Sequence, residues 1–290
     1  MPSQKNNNEY YLGYLTANDD TSFFKDYLNI KNMTRYHPGV SPLHVCITVS
    51  AVKKVDDKQR HKIKQLKKVL LKAPHISKVK TIFKDNKGRD FSSAQHCFKY
   101  FSQFCENESY ILIRNRSGYG PFDRNWYQKY VNLNKKLPNG GLTGSTINQC
   151  KKQYIVKKDK QIQTHTHVQT YAYLSKWKYF KPITDTFPGV NCKKKRDVII
   201  QGELGLSASF LERGLALNCL QWNNHVFTSD EMYYGELPFN DIKKISKKVP
   251  IRFRYRRYIY RFWSLIDGIA WEPKVLFKLI FLKKLNQVFR

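Results

Sequence analysis

The residues Thr81–Phe122, TIFKDNKGRDFSSAQHCFKYFSQFCENESYILIRNRSGYGPF, decide how this chain folds. They spell a strand, a short polar turn, a helix, a second strand and a loop rich in glycine and polar groups. The first strand ends in Asp85-Asn86-Lys87-Gly88-Arg89-Asp90. Apolar residues then recur at Phe91, Ala94, Phe98, Phe101 and Cys105, the three- and four-residue steps of a helix with one buried face. Tyr110-Ile111-Leu112-Ile113 reads as a buried strand that delivers Asn115-Arg116-Ser117-Gly118-Tyr119-Gly120-Pro121 at its carboxyl end. Ligands of open α/β sheets bind at the carboxyl ends of strands. Both polar loops therefore belong to the candidate site.

Upstream, Leu43–Ser50 is the first convincing strand, and Tyr10–Leu15 reads as a shorter one. Asn18–Pro42 has no clear period and is expected to be irregular. A lysine-rich helix is predicted from about Asp56 to Lys72, with Ile63, Leu66, Val69 and Leu70 on its apolar face and Pro74 beyond its end. With the strand at Ile76–Phe83, the order is β-α-β-α-β, which implies a parallel sheet with helices across it. Downstream, Trp126–Leu133 is expected as a helix, Leu142–Asn148 as a short strand, and 150–160 as a basic, mobile loop. Val198-Ile199-Ile200 reads as a strand, with Glu203 opening the helix that carries Leu206, Phe210 and Leu211 and stops at Gly214. Leu215–Trp222 is the last expected strand. The fold class is α/β, with a mixed, mainly parallel sheet in one domain over about 1–245. Its donor-binding half lies at about 40–125 and its acceptor and catalytic half at about 126–245. A basic, aromatic extension covers 246–290.

The chain has 290 residues, of which 41% are apolar, enough for a sizeable core. Its 52 Lys and Arg against 22 Asp and Glu give a formal charge of +30, a field that attracts polyanions, nucleotide phosphates or an anionic membrane face. The six cysteines are scattered without a C-x-x-C pair, which argues against zinc and a dense disulfide framework and suits reduced core residues. MPSQKNNNEYY lacks the apolar core of a signal peptide, and no apolar run is long enough to span a bilayer, so a cytoplasmic setting is expected.

Several groups carry candidate chemistry. In the 86–90 turn, Asn86, Arg89 and Asp90 offer an amide, a guanidinium for phosphate and a carboxylate for sugar hydroxyls. The competing reading makes Asp90 the N-cap of the following helix. Asn115, Arg116 and Ser117 stand where many nucleotide-sugar enzymes place an acidic D-x-D that binds Mg²⁺ or Mn²⁺. With Arg116 among them, a protein cation could neutralise a leaving diphosphate; no metal site is assigned, although Mn²⁺ or Mg²⁺ is left open. Ser50 ends the earlier strand at the same edge. His165-x-His167 is a weak metal signal, and His167 is better placed as a hydrogen-bond donor to phosphate or substrate. Glu203 suits a general base that takes a proton from an acceptor hydroxyl, or simply an acid favoured by the helix dipole. Asp123 is the second candidate base. Arg252, Arg254, Arg256, Arg257 and Arg261 alternate with aromatics, a pattern that suits single-stranded nucleic acid, an anionic membrane surface or a cationic edge strand.

Taken in order, NKGRD, YILIRNRSGYGPF, GLTGSTIN, HVQT and VIIQGELGLS resemble the glycosyltransferases related to bacterial rhamnan-synthesis protein F, found also in large DNA viruses of algae. The family pattern runs roughly N-[DS]-S-x-x-G-P-F, G-[ST]-T-I-N, H-x-Q-S and E-x-x-L-S. It is matched here by Asn115, Ser117, Gly120, Pro121 and Phe122; by Gly144–Asn148; by His167 and Gln169; and by Glu203, Leu206 and Ser207. Arg116 and Thr170 depart from it, and the match covers about residues 80–220. The resemblance implies a GT-A-like fold, a nucleotide-sugar donor, UDP-sugars foremost, and a glycan or glycoprotein acceptor. Ser50, Asn86, Arg89, Asp90, Asn115, Arg116 and Ser117 would bind the donor. Thr146, Asn148, His167 and Gln169 would contact acceptor or phosphate, and Glu203 or Asp123 would be the base of an inverting transfer. The rivals are a basic nucleic-acid-binding protein, although a nucleic-acid partner is not favoured, and a membrane-surface adaptor that docks through 251–290 and whose α/β domain is catalytically inactive.

Overall fold

The computed structural model describes residues 9–19, 23–149, 155–157, 160–162, 166–194 and 197–229. The extension 246–290, including the 251–261 arginine–aromatic segment, lies outside them. An eight-stranded sheet is built from β1 (Tyr10–Ala17), β2 (Leu43–Ala51), β3 (Ile76–Asp85), β4 (Tyr110–Asn115), β5 (Gly141–Gly144), β10 (Ala172–Lys176), β11 (Ala216–Cys219) and β12 (Trp222–Phe227). Two strand pairs lie apart from it: β6 (Ile147–Gln149) with β9 (Thr166–Val168), and β7 (Ile155–Lys157) with β8 (Lys160–Ile162).

The sheet order is β12-β11-β5-β10-β4-β1-β2-β3. The pairs β1/β2, β1/β4, β2/β3 and β5/β11 are parallel, while β10 runs against both its neighbours and β12 against β11. This is the mixed, mainly parallel α/β sheet that the sequence implies. From β1 the chain proceeds outward to β2 and β3, then returns to pair β4 on the other flank of β1. The order therefore reverses between β1 and β4, the position where such sheets open a crevice at their carboxyl edge.

Helices cover both faces. On one, α3 (Arg89–Phe101), α5 (Trp177–Phe180) and α6 (Gly205–Leu211) pack Phe91, Phe98, Phe101, Trp177, Phe180 and Phe210 against Tyr11, Leu15, Ile111 and Ile113. On the other, α1 (Phe23–Arg35), α2 (Asp57–Leu70) and α4 (Trp126–Asn134) bury Ile30, Met33, Leu66, Leu70, Tyr127 and Tyr130 against Leu12, Tyr14, Ile47 and Leu112. Alternate residues of β1 thus feed opposite cores, as the two-residue strand period requires. Cys46, Cys97, Cys192 and Cys219 are buried free thiols, and Cys105 is half-buried.

The structure corrects several expectations. The supposedly irregular 18–42 region holds α1, and β1 is an interior strand of the sheet, paired with both β2 and β4, rather than a minor one. Val198–Leu204 is a π-helical stretch that leads straight into α6, so Val198-Ile199-Ile200 is not a strand and Glu203 lies within a helix. Leu142–Asn148 is divided between β5 and β6, and the last expected strand is the hairpin β11–β12. Gly88, at φ 66°, takes the position before α3, where a side chain would rarely fit, so Asp90 stands inside the first turn and is not the N-cap.

Candidate active site

A pocket of about 390 Å³ opens where Arg89, Asp90 and Phe91 of α3, Asn115 at the end of β4, Ser117 beyond it, Gln169–Tyr171 and the Val198, Ile199 and Glu203 side chains meet. Four separate stretches of sequence converge there, at the carboxyl edge of β3 and β4.

The turn entering α3 is held from below by Lys84. Its side chain is only 3% exposed; Nζ donates to the Lys87 carbonyl at 2.7 Å and approaches the Arg89 carbonyl at 3.5 Å. Burial pulls its amine down to about 8, against the opposing charges of Asp85 and Asp90. Arg89 itself adopts φ 46° and is exposed at the pocket. Asn86 stands in the exposed turn, its carbonyl accepting from the Arg89 amide at 3.3 Å. Asp90 Oδ2 accepts from Asn115 Nδ2 at 2.7 Å. Burial pushes the Asp90 carboxyl above its ordinary value, opposed first by that hydrogen bond and then by the charges of Arg116, Lys84 and Arg89.

The Asn115–Pro121 loop is fixed at several points. Asn115 Oδ1 accepts from the Ser117 amide at 2.9 Å, the side-chain turn that asparagine favours. Arg114, fully buried, donates from Nη2 to the carbonyls of Gly118 and Gly120, the latter at 2.8 Å. Asn29 of α1 donates to the Arg116 carbonyl and accepts from the Gly120 amide, both at 3.2 Å. Arg116 turns away from the pocket. Its guanidinium makes a two-pronged pair with Asp19, Nη1 to Oδ1 at 3.0 Å and Nη2 to Oδ2, and reaches the Ala17 carbonyl at 3.1 Å. Behind it, Asp26 is buried and accepts from Tyr14 Oη and Thr16 Oγ1 at 2.8 and 2.7 Å. Burial lifts its carboxyl to about 6 although Arg116 opposes the shift.

The opposite wall is a chain of hydroxyl contacts. Thr146 Oγ1 donates to Gln169 Oε1 at 2.8 Å and lies 2.6 Å from Tyr171 Oη. Asn148 pairs with His167 in the β6/β9 register. Ser207 Oγ accepts from the Val168 amide at 3.0 Å and ties β9 to α6. The π-helical stretch sits close because Gly202 has no side chain: a Cβ there would come within 2.4 Å of the Phe91 ring. This seats Glu203, 31% exposed, in the wall with Oε2 3.6 Å from His167 Nε2. His167 is 1% exposed, and among the described residues neither ring nitrogen has a hydrogen-bond partner. A buried polar atom in that state is uncommon and marks a place where a partner is expected.

Of the residues singled out from the sequence, Arg89, Asp90, Asn115, Ser117, Gln169 and Glu203 line one pocket, and His167 and Thr146 stand directly behind it. The others are placed differently. Ser50 is buried with its hydroxyl 3.0 Å from that of Ser93, and Arg116 is committed to Asp19. Asp123 pairs with Lys129 at 2.8 Å and is absent from the pocket wall. Sequence reasoning missed Asp19, Asn29, Lys84 and Arg114, which hold the site's loops. Arg114 did carry a signal, a cation inside the otherwise apolar run Tyr110–Ile113. Among the described residues, no three His, Cys, Asp or Glu gather to hold a metal ion.

No protein-family model and no curated protein matches the chain. Among solved structures, the WbbM bifunctional glycosyltransferase is 11% identical with a TM-score of 0.46; the match covers 83% of this chain and 45% of that one. S. aureus TarS 1–349 is 10% identical with a TM-score of 0.45, over 82% and 69% of the two chains. A 4-diphosphocytidyl-2C-methyl-D-erythritol synthase is 9% identical with a TM-score of 0.39, over 83% and 99%. At these identities and scores the likeness assigns no reaction.

Proposed function

We propose that this chain is a glycosyltransferase that moves a sugar from a nucleotide-sugar, UDP-linked by preference, to a hydroxyl of a glycan or glycoprotein acceptor. The observation that carries the reading is convergence. Arg89, Asp90, Asn115, Ser117, Gln169 and Glu203, named from separate motifs, line one pocket of about 390 Å³ at the sheet's switch point. That volume is ordinary for a small-molecule site.

In this mechanism Arg89 holds the donor diphosphate, a task that falls to it because Arg116 is engaged by Asp19. Asp90, oriented by Asn115, accepts hydroxyl hydrogens of ribose or sugar. Glu203 takes the proton of the acceptor hydroxyl as its oxygen attacks the anomeric carbon. The bond from that carbon to the diphosphate breaks, and the nucleoside diphosphate leaves with the electron pair. The transfer is inverting. The reading includes a cytoplasmic setting and peripheral membrane contact through the basic 251–290 segment.

The test is a thermal-shift panel of UDP-, GDP- and dTDP-sugars, each with EDTA and with Mn²⁺. A ligand that binds only the folded state raises the melting temperature. Stabilisation by one nucleotide-sugar, retained in Arg116→Ala and lost in Arg89→Ala, supports the assignment. A flat panel sinks it.

A further inference from the structure

The surface that the transferase reading leaves unused is the outward face of α2. Residues 53–72 hold nine Lys or Arg and two Asp, against 52 Lys and Arg in all 290 residues. The helix buries Ile63, Leu66 and Leu70 on the sheet, which fixes its orientation. The side turned to solvent carries Asp57, Arg60, His61, Lys64, Lys68 and Leu71 at three- and four-residue steps, one straight stripe on a helical surface. Asp57 is its acidic member, at the amino end where the helix dipole favours a carboxylate. Over 14 residues the stripe is about 21 Å long. An exposed aliphatic side chain stands at either end: Val52, 52% exposed, and Leu71, 47% exposed.

We infer that this stripe is a docking surface for an anionic lipid bilayer. Charge complementarity sets the sign of the partner. The residue types choose a membrane over nucleic acid. The stripe's cations are mostly lysines, compact point charges suited to diffuse attraction by many headgroups. The aromatics beside it, Phe83 under Arg60 and Phe23 under Lys62, are half-buried, so among the described residues none stands exposed along it to stack a base. Leu71 and Val52 extend where short apolar groups enter the headgroup layer. The docking is peripheral, since no described helix is long and apolar enough to cross a membrane. It is independent of the transferase reading.

The experiment is flotation of the full chain with phosphatidylcholine vesicles, with or without phosphatidylserine. Three proteins are compared: wild type, Lys64→Glu/Lys68→Glu/Lys72→Glu on the stripe and just past its carboxyl end, and Lys135→Glu/Lys136→Glu/Lys181→Glu at exposed sites elsewhere. The two triple variants carry the same net charge, and circular dichroism confirms that each is folded. Wild type should float only with phosphatidylserine, and the stripe variant should partition at least about tenfold less, with the control within about twofold. Val52→Ser/Leu71→Ser should also weaken flotation, while leaving any oligonucleotide binding unchanged. Equal loss in both triple variants, or undiminished flotation of the stripe variant, overturns the inference. So does stripe-dependent binding to a single-stranded oligonucleotide with no stripe-dependent flotation, which would hand the surface to nucleic acid.

Discussion

At the scale of single residues, the site turns on Glu203 and the imidazole behind it. The Glu203 carboxylate is the acid in the pocket wall that faces His167, and 3.6 Å is too long for a hydrogen bond. If Glu203 is the base, Glu203→Gln keeps shape and hydrogen-bonding capacity and loses only the proton acceptor. Turnover should fall by roughly 10²–10⁴-fold while the nucleotide-sugar still stabilises the protein, read by initial rates beside thermal shift. His167 makes a different prediction. An unpaired buried polar group costs about 1–3 kcal/mol, so His167→Leu should leave stability in denaturant melts unchanged or slightly higher. The same variant should lower single-turnover rates by about tenfold or more, because Glu203 loses its neighbour. A variant that unfolds, or one that transfers sugar at the wild-type rate, would make His167 a packing residue. Glu203 was legible in the sequence because it follows the apolar Val198-Ile199-Ile200, and His167 because it opens the His-Val-Gln block. Lys84 and Asn29 were not, since the loop carbonyls and amide they hold are brought near only by the fold.

At the scale of elements, legibility followed how cleanly each segment separates polar from apolar. β2, β3 and β4 were readable as apolar, β-branched runs, and α2 and α3 from apolar residues at three- and four-residue steps. α1 was hidden for a physical reason. Its inward face includes Asp26 and Asn29, buried because they hold Tyr14, Thr16 and the 115–121 loop, so its apolar stripe is interrupted. The π-helical stretch was misread because three β-branched residues, Val198-Ile199-Ile200, favour a strand by local propensity. Tertiary packing outweighs that preference: Gly202 faces the Phe91 ring and Gly189 lies against it, so a helix fits there tightly. Gly202→Val tests this. The added side chain must displace Phe91, and overpacking of this kind costs about 1–3 kcal/mol. The midpoint in urea should drop accordingly, and Glu203 should leave the wall, with turnover falling more than donor affinity. An unchanged midpoint would mean that the stretch can shift without consequence.

At the scale of the whole molecule, a chain of formal charge +30 still sets ionisable groups inside its cores. Asp26 is the case with a defined consequence. Its carboxyl is buried beneath the site loop, and desolvation lifts it from 3.8 to about 6, while Arg116 pulls the other way. Between about pH 4 and 6 the folded chain therefore keeps a proton that the unfolded chain has released. Stability falls with rising pH wherever the folded state binds more protons, so Asp26 contributes a loss across that window and a constant penalty above it. Lifting the carboxyl from 3.8 to about 6 corresponds to roughly 3 kcal/mol. Other groups titrate in the same range, so the comparison that isolates this one is wild type against Asp26→Asn, measured by urea unfolding from pH 4 to 8. The stability of wild type minus that of the variant should decrease as pH rises to about 6 and stay level beyond. The opposite slope below pH 5 would show a carboxylate held ionised by Arg116. The Arg116–Asp19 pair would then be one arm of a larger ionic cluster that includes Asp26, and the charge of that cluster, rather than burial, would govern how the loop above the pocket responds to acid.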